Sequence, residues 1–223
     1  MSARLGAFLL LLSPGIPPAT AASKAYQLDP VHTRVMFAVE HAGFSSALGT
    51  VSGSTGQLQF DPDDWSTARL EVSVPLQRLD LGDGKWNRAV RAGNLLDTEK
   101  FPTATFVSTR IEPIDSRHAS VYGTLTLHGI SAEVKLDVTL NMLKRHPLPP
   151  FRRTAGFSAT TTLSRADFGI DAWKSVIGDR VELRLEVEAT RTRKDGADEA
   201  DSDEHDDEEP APTTKPSTEP TKP

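Results

Sequence analysis

From Tyr26 to Arg193 apolar and polar residues alternate with period two. The clearest run is Val181-Glu182-Leu183-Arg184-Leu185-Glu186-Val187-Glu188-Ala189, apolar on one face and charged on the other. The alternation recurs at Val35/Phe37/Val39, Leu70/Val72/Val74/Leu76, Val121/Gly123/Leu125/Leu127, Val134/Leu136/Val138/Leu140 and Ala155/Phe157/Ala159/Thr161/Leu163. With the Gly-rich "GTVSGSTGQLQF" from Gly49 and "TATFVST" from Thr103, the pattern predicts about eight strands. Turn residues punctuate them at Asp61-Pro62-Asp63-Asp64, His128-Gly129 and His146 through Pro150. Strands with one wet face are antiparallel, and without long helical crossovers they close into an all-β barrel or sandwich.

Two stretches break the alternation. In "DGKWNRAVRAGNLL", Asp83 can cap a helix, Trp86, Ala89, Val90 and Gly93 recur at helical spacing, and Gly93-Asn94 offers an end. Leu95 and Leu96 then close an apolar turn. Such a helix is expected to close one end of a barrel, with Phe101-Pro102 opening the strand that returns along the wall. The second stretch, "SRADFGIDAWKSVIGDR" from Ser164, gathers Phe168, Ile170, Trp173 and Val176. It reads either as a loop folding aromatics over a cavity or as a plain apolar plug.

The ends divide the 223 residues into three parts. Residues 1–22 carry Arg4, a short apolar run from Leu5 to Leu12 and small residues at Ala19-Thr20-Ala21-Ala22, the order of an export signal cut after Ala21 or Ala22. That run is too short to span a bilayer. Residues 23–193 form the barrel domain. Residues 194–223 combine an acidic block with a Pro/Thr/Lys tract that lacks the apolar content to form a core, and read as a disordered tail. The whole chain is at -6, but the tail holds eleven acids against three lysines, so the barrel itself is near neutral. The low pI therefore carries no information about the barrel's ligand. The default reading of the tail is a passive solvated segment; the alternative is that it keeps the protein soluble or holds it off anionic membranes until docking. The absence of cysteine excludes disulfides, thiol catalysis and thiolate metal sites, so an exported domain must rest on its core.

Four blocks resemble, in order, the YceI-like family of exported lipocalin-like proteins: "LDPVHTRVMFAVEHAGFSSALGTVSG", "LLDTEKFPTATFVST", "YGTLTLHGISAEVKLDVTL" and "AGFSATTTLSRADFGI". The resemblance runs from about Tyr26 to Thr190. It implies an extended eight-stranded antiparallel lipocalin-like β-barrel with one short helix, located in the periplasm. Its long apolar cavity would hold a polyisoprenoid or isoprenoid quinone as ligand, with no other cofactor. Arg91 matches an arginine of the family, whereas the family's histidine position is Ala89 here and its Asp-Phe is Asn94-Leu95.

The expected cavity wall comprises Phe37, Val39, Phe44, Val51, Leu58, Val72 and Val74 from the first half of the barrel. Phe106, Leu125, Leu136, Val138, Phe157 and Leu163 continue it in the second half. Trp86 and Val90 come from the helix, and Phe168 and Trp173 from the second loop. The same residues could equally fill an ordinary core. Lys85, Arg88 and Arg91 at helical spacing could form a basic rim for a lipid headgroup, and His41 at a strand end could meet its polar part; a solvated helix face and a hydrogen-bonded histidine are the plain alternatives. No histidine pair has metal-ligand spacing, and His205 lies in a run without the fixed pattern of a Ca²⁺ loop. No G-x-S-x-G, phosphate loop or basic aromatic stripe is visible, so neither catalysis nor nucleic-acid binding is expected.

The sequence thus favours a periplasmic lipid binder that makes transient contact with membranes. The alternatives are a filled barrel that binds an envelope or redox partner, and an enzyme acting on bound isoprenoid through His41 and Arg91. Oligomeric state is left open.

Overall fold

The computed structural model describes residues 23–192, so the expected export signal and acidic tail lie outside the described residues. The segments are β1 (Lys24–Leu28), β2 (Arg34–His41), β3 (Ser45–Ser52), β4 (Thr55–Phe60), β5 (Arg69–Pro75), β6 (Leu79–Asp80), α1 (Gly84–Arg91), β7 (Thr103–Pro113), β8 (His118–Leu127), β9 (Ile130–Arg145), β10 (Arg153–Ser164) and β11 (Ile177–Arg191).

Register shows that these segments make fewer walls than their number suggests. Lys24 stands opposite Phe60 and Arg34 opposite Ser52, so β1 with β2 and β3 with β4 are two interrupted staves of one hairpin. Likewise β5 and β6 run along β4 and β3 in turn. Since β1 and β2 both pair with β11, the meander closes on itself as an eight-stranded antiparallel barrel. Closure removes the exposed edges of an open sheet.

The interruptions have local causes. Pro30 lacks an N–H for the ladder, and the Asp29 carboxylate instead accepts from the Val31 and His32 amides at 2.7 and 3.3 Å. Gly53, at φ +78°, parts β3 from β4. The His32 ring packs against Asp29 at 2.8 Å, and its pKa is raised by that hydrogen bond and then by the charges of Asp29 and Glu188. A raised folded-state pKa stabilises below the unfolded value and is lost as pH rises through the folded one. His32→Ala is therefore expected to lower stability slightly at pH 5 and by less at pH 8; urea midpoints at the two pH values check this. The effect is small because the pair is solvent-screened.

Inside, the barrel is packed at one end and loose at the other. At the end away from α1, Phe60 packs edge-on against Tyr26, Trp65 and Phe157 at ring distances of 6.5, 5.1 and 5.4 Å. Trp65 comes from a 3₁₀ turn, Trp65–Thr67, whose Ser66 amide donates to the Asp64 carboxylate. Ala119, Ala155 and Ala189, all buried, leave room for these rings. Toward α1, inward-facing Phe37, Val39, Val72, Val74, Leu125, Val181 and Leu183 remain half-buried. All seven border the open lumen, and Val72, Leu125 and Leu183 also pack against the core cluster. The outward row of β11, Glu182, Arg184, Glu186 and Glu188, is charged, the reverse of the apolar-out pattern of a bilayer-spanning barrel.

Candidate ligand-binding cavity

The loose end encloses a cavity of about 460 Å³ whose wall is almost wholly aliphatic and aromatic. Its size falls within the range of small-molecule sites, about 300–1,000 Å³. Every barrel stave contributes, from Val35, Phe37 and Val39 on β2 to Val181, Leu183, Leu185 and Val187 on β11. The floor is Phe60, Trp65 and Phe157. Polar groups are few: Glu40, His41, Thr33, Ser54, Thr161 and Arg165. A wider depression on the outer face is lined by Lys135, Asp137, Thr160, Thr162, Glu182 and Arg184 among others. An apolar ligand gains far more from the dry interior than from that wet surface.

Two cross-strand glycines keep the lumen open. A Cβ on Gly49 would stand 2.2 Å from the Phe37 ring, and one on Gly123 would stand 2.4 Å from the Phe106 ring. The far end of each ring thus sits close over a bare backbone on the neighbouring strand, in space that a side chain there would occupy.

Helix α1 covers the cavity without sealing it. Asp83 caps it as the sequence predicts, accepting from the Lys85 and Trp86 amides at 2.8 and 3.0 Å. The helix stops at Arg91 instead of continuing to Gly93, and Leu95 and Leu96 belong to the turns that follow, both still facing the cavity. Trp86, Val90 and the exposed Ala89 face inward, with the Trp86 ring 5.3 Å from that of His41. Exposed Glu40, Trp86 and Ala89 all touch the cavity, so it meets solvent between α1 and the β2–β3 hairpin.

Asn87 latches the helix. It accepts from the Leu81 amide at 2.7 Å and donates to Asp80 at 2.8 Å, which holds the Asp80 carboxyl below its usual pKa. Removing this latch by Asn87→Ala is expected to speed amide exchange at residues 84–92 severalfold while β9 to β11 stay protected. Hydrogen exchange with mass spectrometry reads both.

The expected wall residues Phe37, Val39, Val51, Leu58, Val72, Val74, Trp86, Val90, Phe106, Leu125, Leu136, Val138, Phe157, Leu163 and Phe168 all line the cavity. Phe44 and Trp173 are corrections. Phe44, at the tip of the β2–β3 hairpin after Ala42 and Gly43 at positive φ, is 93% exposed, beyond the end of the wall. Trp173, itself at φ +58° in the β10–β11 loop, is 60% exposed. The basic rim is also corrected. The Arg91 guanidinium turns away to the Leu79 carbonyl and secures the helix, while Arg88 is solvent-exposed; neither lines the cavity. His41 does line it.

Arg165 went unnoticed in the sequence. It is buried at the cavity's upper wall and donates to the carbonyls of Ile170, Ile177 and Gly178 at 2.6, 2.8 and 2.9 Å, tying the second loop to β11. Its partners are backbone groups, which no spacing rule reveals. Another grouping arises from register alone. Asp29, His32 and Glu188 bring their ligand atoms within 4.8 Å of one another, a set that could hold a metal ion, though none of the three lines the cavity.

A closed antiparallel barrel with a lidded apolar lumen is a lipocalin-like architecture. Solved structures share it. BcnA of Burkholderia cenocepacia superposes with a TM-score of 0.66 at 23% identity, over 73% of this chain and 99% of that one. A polyisoprenoid binding domain from Saccharophagus degradans, implicated in plant cell wall breakdown, gives 0.60 at 15% identity, over 76% and 99%. In sequence, a UPF0312 protein of Shewanella sp. (strain MR-7) is 30% identical over 86% of this chain and 97% of its own length. A UPF0312 protein of Pseudomonas savastanoi pv. phaseolicola is 32% identical over 72% and 81%. The YceI-like domain model matches residues 26–189, and the chain belongs to the YceI-like family.

Proposed function

We propose that this protein binds the hydrocarbon chain of an amphipathic lipid, a polyisoprenoid or isoprenoid quinone, and carries or sequesters it in the periplasm. One observation carries the reading: the barrel is packed at its floor but hollow toward α1, with an apolar lumen that opens beside Trp86. Each CH₂ moved from water into such a wall contributes about 0.8 kcal/mol, so a chain of several isoprene units gains enough to stay bound. The headgroup sits at the rim formed by Glu40, His41 and Trp86, and α1 yields to admit the chain. The polyisoprenoid-binding neighbour supports this ligand class, and the order of residues 1–22 supports export. No covalent step and no resident cofactor is invoked.

The test is organic extraction of the protein purified without detergent, followed by mass spectrometry. A stoichiometric isoprenoid lipid is the expected result. An empty extract, together with failure to take up added quinone or polyprenyl phosphate, would overturn the reading in favour of a barrel that works by binding a protein partner.

A further inference from the structure

Phe44 and Trp173 lie outside the cavity wall, and the cavity leaves both without a role. They share one place. Phe44 follows the tight Ala42-Gly43 turn of the β2–β3 hairpin, and the Ala42 amide donates to the Val176 carbonyl of the β10–β11 loop at 2.6 Å. In that loop the Trp173 carbonyl accepts from the Val176 and Ile177 amides, both at 2.8 Å, holding a bulky residue at φ +58°, a conformation it disfavours. On α1 the Trp86 ring stands 5.3 Å from that of His41, which precedes the same hairpin turn. The β8–β9 turn joins this end as well, because the His128 ring donates to the Phe168 carbonyl at 3.1 Å and Ile130 lies close over Gly169. Phe44, Trp86, Ile130 and Trp173, from four separate elements, are thus all exposed at the end of the barrel where the cavity opens.

Charge does not set this end apart: Lys85 and Arg88 are offset by Glu40 and Asp83, and Lys174 pairs with Asp171 at 3.1 Å. What it offers is aromatic and aliphatic surface beside the opening of an apolar lumen. Each CH₂ that a lipid chain exposes makes it about fourfold rarer in water, so a long chain has to pass directly from one apolar phase to the other. Indole rings favour the bilayer interface, where one edge is wet and the other apolar. We infer that Phe44, Trp86, Ile130 and Trp173 seat the protein mouth-first on the interface of a lipid bilayer, so that the chain moves between membrane and lumen without entering water. This deepens the lipid-cargo reading and rests on it. A protein partner seated on the same side chains would cover the mouth instead.

The mature protein, cut after Ala22 so that the apolar run of residues 1–22 cannot bind lipid, is sedimented with phosphatidylcholine vesicles. Binding is expected without anionic lipid and with little dependence on salt, because the contact is apolar. Each ring that enters the interface is worth about tenfold in partitioning, so Phe44→Ser with Trp173→Ser should weaken binding by about a hundredfold. Phe151→Ser removes an exposed ring at the opposite end, between β9 and β10, and should leave binding unchanged. Neither Phe44 nor Trp173 lines the cavity. The double variant should therefore still take up a short-chain quinone supplied in buffer, while its uptake of a long-chain quinone from vesicles slows at least tenfold, on the order of one lost ring contact. No vesicle binding by the wild type, or an equal loss with Phe151→Ser, would overturn the inference. So would a dimer in sedimentation velocity that Phe44→Ser dissolves while vesicle binding is absent, which would assign the rings to a second copy. Vesicle binding with no uptake of either quinone would leave the docking surface standing and overturn the lipid-cargo reading.

Discussion

Leu183→Trp is expected to abolish isoprenoid uptake and leave thermal stability almost unchanged. Leu183 faces the lumen from the middle of β11, between Phe37 and Thr161 on the neighbouring strands, and is half-buried because the lumen beside it is open. In a filled core the larger side chain would cost about 1–3 kcal/mol, lowering Tm by roughly 2–12 °C. In a hollow barrel it occupies space the ligand needs. If the bound chain loses about 100 Å² of contact at ~25 cal/mol per Å², affinity falls by about 2.5 kcal/mol, or close to two orders of magnitude. Uptake by fluorescence competition and Tm by scanning calorimetry give the two readings. A large Tm loss with uptake retained would mean that the barrel is packed at this level and that the ligand, if any, lies elsewhere.

Phe60→Ala should have the opposite signature. Phe60 is 2% exposed and meets Tyr26, Trp65 and Phe157 in the floor, so truncation removes transfer energy and leaves a void that the surrounding rings cannot fill. A loss of about 3–5 kcal/mol is expected, with Tm lower by roughly 6–20 °C. Phe37→Ala is the contrast. Phe37 already borders open space, so its removal creates little new cavity and should cost clearly less in urea unfolding. Equal losses at the two positions would contradict the division of the barrel into a packed floor and a hollow upper part.

Alternation in sequence locates strands because one face of each is dry, and each run read from it falls on a strand, except that Leu76 at the end of one run belongs to a 3₁₀ turn. It could not show that β1 with β2, or β3 with β4, share a stave. That depends on which partner each segment finds across the ladder, and the Pro30 and Gly53 breaks look like ends until the register is known. The helix was legible at its start, where Asp83 caps its own neighbours, but less so at its end, where Thr98 donates to Arg91 across a turn.

Among the site residues, those on regular strands were placed by periodicity alone, since the inward face is fixed once one residue is. Phe44, Trp173, Arg88 and Arg91 were misplaced for a common reason. They sit on a hairpin tip, a loop and a helix end, where side-chain direction follows local dihedrals and tertiary partners such as the Leu79 carbonyl. Arg165 was missed for the converse reason, its partners being the carbonyls of a loop with no pattern.

By itself the sequence determined the antiparallel class, the inward and outward faces of each strand and the presence of one short helix, because these follow from local periodicity and capping. Its ordered motifs also pointed to the family. Whether the inward face encloses a filled core or a lumen was decided only in three dimensions. That outcome depends on how side-chain volumes add up across opposite walls, with aromatics meeting near alanines at the floor and packing closely over Gly49 and Gly123 above, and no strand carries that sum in its own pattern.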